Sequence, residues 1–288
     1  MSVRKLLMIV YRCCIVAFIA LVVVASLTDL PLAWVWLPAA LAIAIALGMS
    51  RKARAEQAVR PPAVEVDAPV AGRWSALNSP ADRVPSHGTH GYGQTYAIDI
   101  VAEPEGLPEA EGLPEAKDGS RPASRPAFRW LWPVVRRSRD FPAFGAPLLA
   151  VADATVVRAT DGRRDHLSRN SLPALVYLML IEAAVREMGG ATRVTGNHIV
   201  LDLGGGTYAM YAHLQRGSLA VREGDRVRTG QQLARCGNSG NSTEPHVHFQ
   251  LMDGPDLDTA RGIPFRWRGI GVPRNGEPFT AGEPVLPA

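Results

Sequence analysis

Two long apolar runs at the amino terminus constrain this chain more than anything downstream of them. Residues 6–28 (LLMIVYRCCIVAFIALVVVASLT) and 32–49 (LAWVWLPAALAIAIALGM) contain no carboxylate. Each approaches the roughly 20 apolar residues that an α-helix needs to cross about 30 Å of hydrocarbon. Asp29 and Pro31 interrupt them, so the expected element is a transmembrane helical hairpin. A cleaved signal peptide fits less well, because the apolar length is too great and a second span follows at once. Arg12 lies near the start of the first run, where it is expected to snorkel towards the interface. Arg4 and Lys5 precede the hairpin and Arg51, Lys52 and Arg54 follow it. The positive-inside rule then puts both flanks, and everything after residue 55, in the cytoplasm.

The net charge of +4 comes from the same end. Residues 1–60 carry seven Lys and Arg against Asp29 and Glu56, which leaves the rest of the chain close to neutral. A basic excess beside apolar helices is a membrane-flank pattern, so no nucleic acid partner is expected. With 47% hydrophobic residues the chain is too apolar for disorder. Cys13 and Cys14 are adjacent and Cys236 is remote, so no framework of bridges is expected.

Residues 51–68 read as a linker, charged and then rich in Pro, Val and Ala, and a folded domain is expected over 69–288. Residues 73–100 are turn-rich and end in the apolar run Tyr96–Val101, a buried strand. EGLPEA occurs twice, at 105–110 and 111–116, followed by GSRPASRP. This is a low-complexity loop within an insertion over about 103–145, with too few apolar residues to fold alone. Residues 128–140 (FRWLWPVVRRSRD) read as an amphipathic piece that either touches a membrane surface or covers the core. Strands are expected in 146–162, and a helix over 171–188, with Pro173 near its start and Gly189–Gly190 at its end, within a second insertion over about 163–195. Two strands joined by a glycine turn follow at 197–214, a hairpin at 221–241 and a last strand at 246–252. The sum is a mainly β domain, an antiparallel β-sandwich or open barrel with one inserted α-helix, preceded by the hairpin.

Within this frame His246-Val247-His248 is the sharpest chemical signal. Alternate side chains of a strand share a face, so the two imidazoles project together. They suit a metal ligand, or a ligand beside a general base, though a solvated strand face carries the same spacing. Asp99 sits in the apolar stretch Tyr96–Val101, and a carboxylate buried there needs a cation, an Arg or backbone amides as partner. His87 and His90 stand upstream in SHGTHGYGQ, and His213 ends the segment Tyr211-Ala212-His213-Leu214.

Together these phrases resemble the lysostaphin-type, LytM-like zinc metallopeptidases over almost all of residues 69–284. The likeness is carried by Ser86-His87 through Ala97-Ile98-Asp99, by Tyr211-Ala212-His213-Leu214, by Gly237-Asn238-Ser239-Gly240-Asn241-Ser242, and by His246-Val247-His248-Phe249. The resemblance implies one zinc ion held by His87, Asp99 and His248, with a water in the fourth position. It implies His213 and His246 as the catalytic pair, one taking the proton of the attacking water and the other stabilising the oxyanion. It further implies peptide bonds of peptidoglycan cross-links or stems as substrate, and an extracytoplasmic domain on a cell membrane, against the charge rule. One departure stands out. Family members commonly place the first His four residues before the Asp, whereas His90 is nine and His87 twelve residues before Asp99; the Ser-His pair favours His87. His198 and His166 read as structural.

Other readings remain. A catalytically silent domain of the same type would bind wall fragments or regulate a partner hydrolase. A phosphocarrier with paired histidines would need no metal, and Asp99 and the apolar spans argue against it. Asp202-Leu203-Gly204-Gly205-Gly206-Thr207 looks like a phosphate-binding turn, yet its flanks make an ordinary hairpin, so no nucleotide is expected.

Overall fold

The computed structural model describes residues 3–56, 61–103 and 124–282. The EGLPEA repeats, most of the 103–123 segment, part of the expected linker and the end of the 69–288 domain lie outside the described residues. The two apolar runs form α1 (Val3–Leu27) and α2 (Leu32–Glu56), packed as a hairpin. α2 continues past Met49, so the linker expected over 51–68 begins in helix. It ends in a strand, β1 (Val64–Val66), which pairs in parallel with β12 (Phe265–Trp267).

The main sheet uses β2 (Gly72–Asn78), β3 (Ile98–Ala102), β5 (Ala154–Thr160), β6 (His198–Asp202), β7 (Tyr208–Ala212), β8 (Arg226–Val227), β10 (Val247–Met252), β11 (Gly262–Ile263) and β13 (Pro278–Ala281). Among the described residues these nine strands run in the order β13-β2-β3-β10-β7-β6-β5-β8, with β11 added beside β10. Every pairing in this sheet is antiparallel. A small second sheet pairs β4 (Pro147–Leu149) with β9 (Gln232–Arg235).

Two sequence expectations need correction. Residues 221–241 do not form a hairpin, because β8 joins β5 and β9 joins β4. The turn between them is pinned to another part of the chain, the Gly230 N–H donating to the Ala150 carbonyl at 2.8 Å. Nor does the strand pattern stop at Met252: β11, β12 and β13 follow, and β2 lies in a stretch read as turns. β11 and β12 are only two and three residues long, too brief for a period of two to register.

Strands β3, β10, β7 and β6 lie side by side and are buried on both faces. On one face Ile98, Ile100, Val247, Phe249, Leu251 and Tyr211 pack into the principal core. At about 1.5–3 kcal/mol for each fully buried large side chain, this face dominates the hydrophobic stabilisation of the domain. The other face carries a smaller cluster of Val200, Met210, Ala212, Met252 and Tyr92, and Met8 of α1 packs into it, with Met49 of α2 alongside. Arg12 does not simply snorkel: it pairs with Asp258 at 2.9 Å and donates to the Tyr92 hydroxyl at 3.4 Å. The foot of the apolar hairpin is therefore packed onto the β domain.

The inserted helix runs as α3 (Leu172–Tyr177), a π-helical turn (Leu178–Glu182) and α4 (Ala183–Met188), followed by the short α5 (Ala191–Thr195). Ser171 caps it, accepting from the Ala174 N–H, and Pro173 occupies the first turn, where no N–H is needed. Gly190, at φ +91°, allows the reversal after it. Residues 128–140 form no helix apart from a single 3₁₀ turn at Ser138–Asp140.

Candidate metal centre

Strand register builds the site. In β10, His248 stands directly opposite Asp99 of β3 on one side and Ala212 of β7 on the other. His246 lies two residues earlier on the same face, and His213 follows Ala212 at the end of β7. Carboxylate and imidazoles thus meet because three neighbouring strands align in one register, not because the sequence places them close. His87 arrives from the loop before β3, and His87, Asp99 and His248 hold their ligand atoms within 4.8 Å of one another. His90 is turned away to the Thr95 hydroxyl, with Nδ1 and Oγ1 3.1 Å apart.

The hydrogen bonds around this group fix which ring nitrogens carry protons. Ser86 donates its hydroxyl to the Ala97 carbonyl at 2.6 Å, so it accepts from His87 Nδ1–H at 3.0 Å. The lone pair on His87 Nε2 then faces Asp99 Oδ2 at 2.9 Å. On the other side, the Gln250 amide nitrogen donates to the Tyr92 carbonyl at 2.7 Å, which turns Gln250 Oε1 towards His248 Nε2 at 3.0 Å. His248 Nε2 is therefore the donor, and its Nδ1 lone pair faces Asp99 Oδ1 at 2.9 Å. Two imidazole lone pairs aimed at one buried carboxylate repel it unless a cation or protons lie between them. This donor set fits a divalent metal with nitrogen and oxygen ligands. Asn78 completes the surroundings by donating to Asp99 Oδ2 at 2.8 Å.

His213 and His246 are oriented in the same way. His213 Nδ1–H donates to the Ser239 carbonyl at 2.8 Å, and His246 Nδ1–H to the Glu244 carbonyl at 2.7 Å. That leaves Nε2 of each ring for other partners: His246 Nε2 lies 3.4 Å from Asp99 Oδ1, and the two rings stand 4.9 Å apart. Their electrostatics differ. Burial, aided by His246 and His248, holds His213 well below the ordinary histidine range. Burial also disfavours charge on His246, but Asp99, 3.4 Å from its Nε2, outweighs it and raises its pKa. Asp99 itself is opposed by burial yet is held well below the usual carboxylate range by His87 and His246.

The loop carrying Asn238 and Ser239 is held tightly. His213 sits at φ +61°, a left-handed conformation that a side chain other than Gly or Asn adopts at a cost, and its N–H is secured by the Thr195 carbonyl at 3.0 Å. Gly240 at φ +74° lets the loop press against Gly196, where an added Cβ would lie 2.4 Å from the Gly196 nitrogen. His198 and His166 hold backbone: His198 Nδ1 lies 2.9 Å from the Gly196 carbonyl and His166 Nε2 2.8 Å from that of Gly240. Asn78, Glu244 and Gln250 are parts of the site that the sequence reading did not single out. Gln250 had a visible signal, since it is two residues beyond His248 on the same strand face.

The cluster opens into a cleft of about 530 Å³. His87, Asp99, His213, His246 and His248 line one part of it, and Met8 and Tyr11 of α1 with Met49 and Ser50 of α2 line another. The apolar hairpin thus forms a wall of the candidate site.

Residues 180–259 match the family model described as Peptidase family M23. The matched stretch includes His213, His246 and His248, with His87 and Asp99 upstream of it. Peptidoglycan DD-endopeptidase ShyA of Vibrio cholerae is 35% identical over 57 residues, covering 20% of this chain and 13% of that protein. Glycyl-glycine endopeptidase ALE-1 of Staphylococcus capitis is 39% identical over 74 residues, covering 25% of this chain and 18% of that protein. The chain thus aligns with less than a fifth of the length of these curated relatives. The catalytic domain of lysostaphin from Staphylococcus simulans aligns with 41% of this chain and 68% of its own at 25% identity, with a TM-score of 0.28.

Proposed function

We propose that this chain, which carries a domain of peptidase family M23, is a membrane-anchored, zinc-dependent endopeptidase acting on peptide bonds of peptidoglycan. One observation carries the reading. Four imidazoles each spend one ring N–H on a protein acceptor, the remaining nitrogens of His87, His248 and His246 face Asp99 at 2.9, 2.9 and 3.4 Å, and His213 lines the same cleft. Such an array is organised to receive something electron-poor.

His87 Nε2, Asp99 and His248 Nδ1 are the groups that would hold the metal. When bound, zinc supplies Lewis acidity and lowers the pKa of a coordinated water towards about 7. The rest of the chemistry belongs to the chain. His213, kept neutral by burial, is equipped to accept a proton at Nε2, while its Nδ1–H stays on Ser239. His246, oriented by the bond of its Nδ1–H to the Glu244 carbonyl, lines the same cleft and is placed to stabilise a carbonyl oxygen gaining negative charge. Gln250 and Ser86 keep the two histidine ligands in the tautomers that expose these lone pairs. The similarity to ShyA, a peptidoglycan DD-endopeptidase, and to ALE-1, a glycyl-glycine endopeptidase, supports a peptidase acting on wall peptides.

Anchoring rests on α1 and α2, whose segments Leu6–Leu27 and Ala33–Lys52 have the length and composition of membrane spans. The domain is assigned to the extracytoplasmic side because its substrate lies there, and the basic flanks oppose that placement. The division into hairpin, linker and peptidase domain over 69–288 belongs to the same proposal. The test is digestion of purified sacculi by the detergent-solubilised full chain. Release of soluble fragments that stops with a chelator and returns with zinc is expected. A chain that binds zinc and releases nothing would instead be a silent domain of this family.

A further inference from the structure

The described surface has an apolar region that neither core nor cleft uses. On the helix from Leu172 to Met188, Ala174 and Leu178 face inward. Val176, Met179, Leu180, Ile181 and Val185 are exposed, Met179 by 66% and Leu180 by 70%. Polar residues are expected on that outer face if it meets water. The loop ahead of this helix repeats the anomaly: Trp130, Leu131 and Trp132 are exposed by 74%, 71% and 79%, with Phe128 beside Trp130. Loop and helix are one surface, since the Leu172 N–H donates to the Arg129 carbonyl at 3.1 Å and the Ser171 hydroxyl to that of Val134 at 2.6 Å. Soluble surfaces rarely leave so many large apolar side chains together.

Its neighbours indicate what covers it. At its far end the helix packs through α4 against α1, and the Tyr92 hydroxyl donates to Glu187 while accepting from Arg12 of α1. The helix that carries the apolar strip is therefore packed directly against the hairpin. The hairpin is also short of free length. Met8, Arg12, Ala46 and Met49 are engaged by the domain or its cleft, which leaves residues 13–27 and 32–45. About 15 residues a leg is roughly 22 Å at 1.5 Å per residue, less than the ~30 Å of a hydrocarbon core. A hairpin that short holds the domain against the surface. Arg129, Arg137 and Arg139 are exposed around the aromatic loop and match anionic headgroups.

From the packing against α1 and this short reach, we infer that the loop 128–135 and the outer face of the 172–188 helix form a second membrane contact. They seat in the headgroup region of the leaflet that α1 and α2 enter. The inference rests on the membrane anchoring proposed above. It gives the protein two membrane contacts, the hairpin and this patch, and it puts the candidate cleft, walled by the foot of the hairpin, at the membrane surface. The substrates it admits are then wall peptides lying close to the bilayer, not those deep in the wall.

The test uses the full chain in nanodiscs of phosphatidylcholine and phosphatidylglycerol carrying brominated acyl chains, with tryptophan emission as readout. The Trp130→Phe/Trp132→Phe chain and the Trp34→Phe/Trp36→Phe chain are compared with the parent, each checked for parental far-UV dichroism and thermal midpoint. All four residues are exposed, so folding is expected to be kept. The quenchable part of the emission should fall by roughly half in either variant, if the four lipid-facing indoles contribute equally. Quenching that is unchanged in Trp130→Phe/Trp132→Phe but reduced in Trp34→Phe/Trp36→Phe would overturn the second contact and leave the anchor standing. Such a result together with cross-linking between Leu131→Cys chains would assign the patch to a second copy. No quenching in the parent would remove the anchor, and the inference with it.

Discussion

The donor set around Asp99 depends on residues that never touch a metal. Gln250 fixes the His248 tautomer because its own amide is locked by the Tyr92 carbonyl. Gln250→Leu keeps the volume and removes that lock, freeing His248 to rotate or change tautomer. Partners of this kind are worth 10–100-fold in metal affinity, so chelator competition should show the zinc dissociation constant rising by about that factor in Gln250→Leu. An unchanged constant would mean that Gln250 serves packing alone. Much of this scale was legible in the sequence. The strand period brought His246 and His248 to one face, and the apolar setting of Asp99 marked it as needing a partner. The choice between His87 and His90 was not legible from spacing, since it turns on a loop in which Ser86 is tied to the Ala97 carbonyl.

Among the elements, the glycine-rich loop before β10 carries the greatest conformational constraint. Gly240→Ala meets both a φ of +74° and contacts of 2.4 Å to the Gly196 nitrogen and 2.5 Å to the Val194 carbonyl. Strain and overpacking together should cost about 3 kcal/mol or more, seen as a thermal midpoint lowered by roughly 10 °C. A midpoint within a degree of the parent would show that the loop yields easily. Arg12 and Asp258 join the hairpin to the domain through a pair that is only 16% and 17% exposed. A double-mutant cycle of Arg12→Ala and Asp258→Ala should give a coupling of about 1 kcal/mol, and a value near zero would mean that apolar contacts alone hold the joint. Elements with a long pattern were readable from sequence: both apolar helices, the helix opened by Ser171, and the glycine turn between β6 and β7. The pairing of β8 and β9 with different partners was not, because tertiary bonds such as Gly230 to Ala150 redirect the chain. The loop 128–140 carried the composition of an amphipathic element without its helix, since Pro133 interrupts any helix there and the bridge of Arg129 to Ser171 ties its start to the neighbouring segment.

At the scale of the whole molecule, a β domain and an apolar hairpin share one small core beside the candidate site, with Met8 packed near Met252 and Tyr92. No local pattern announces that association, which joins residues as far apart in the chain as Met8 and Met252. The fold class, by contrast, followed from the count of short strands and their turns. The account as a whole stands on one cation held between β3, β10 and the loop before β3. Its most direct test is the metal content of the purified full chain and three variants, measured by inductively coupled plasma mass spectrometry after dialysis against metal-free buffer. The parent and His213→Ala should each retain close to one zinc per chain, while Asp99→Asn and His248→Ala should retain almost none. A parent free of zinc, or an Asp99→Asn chain that keeps the parental amount, would contradict it.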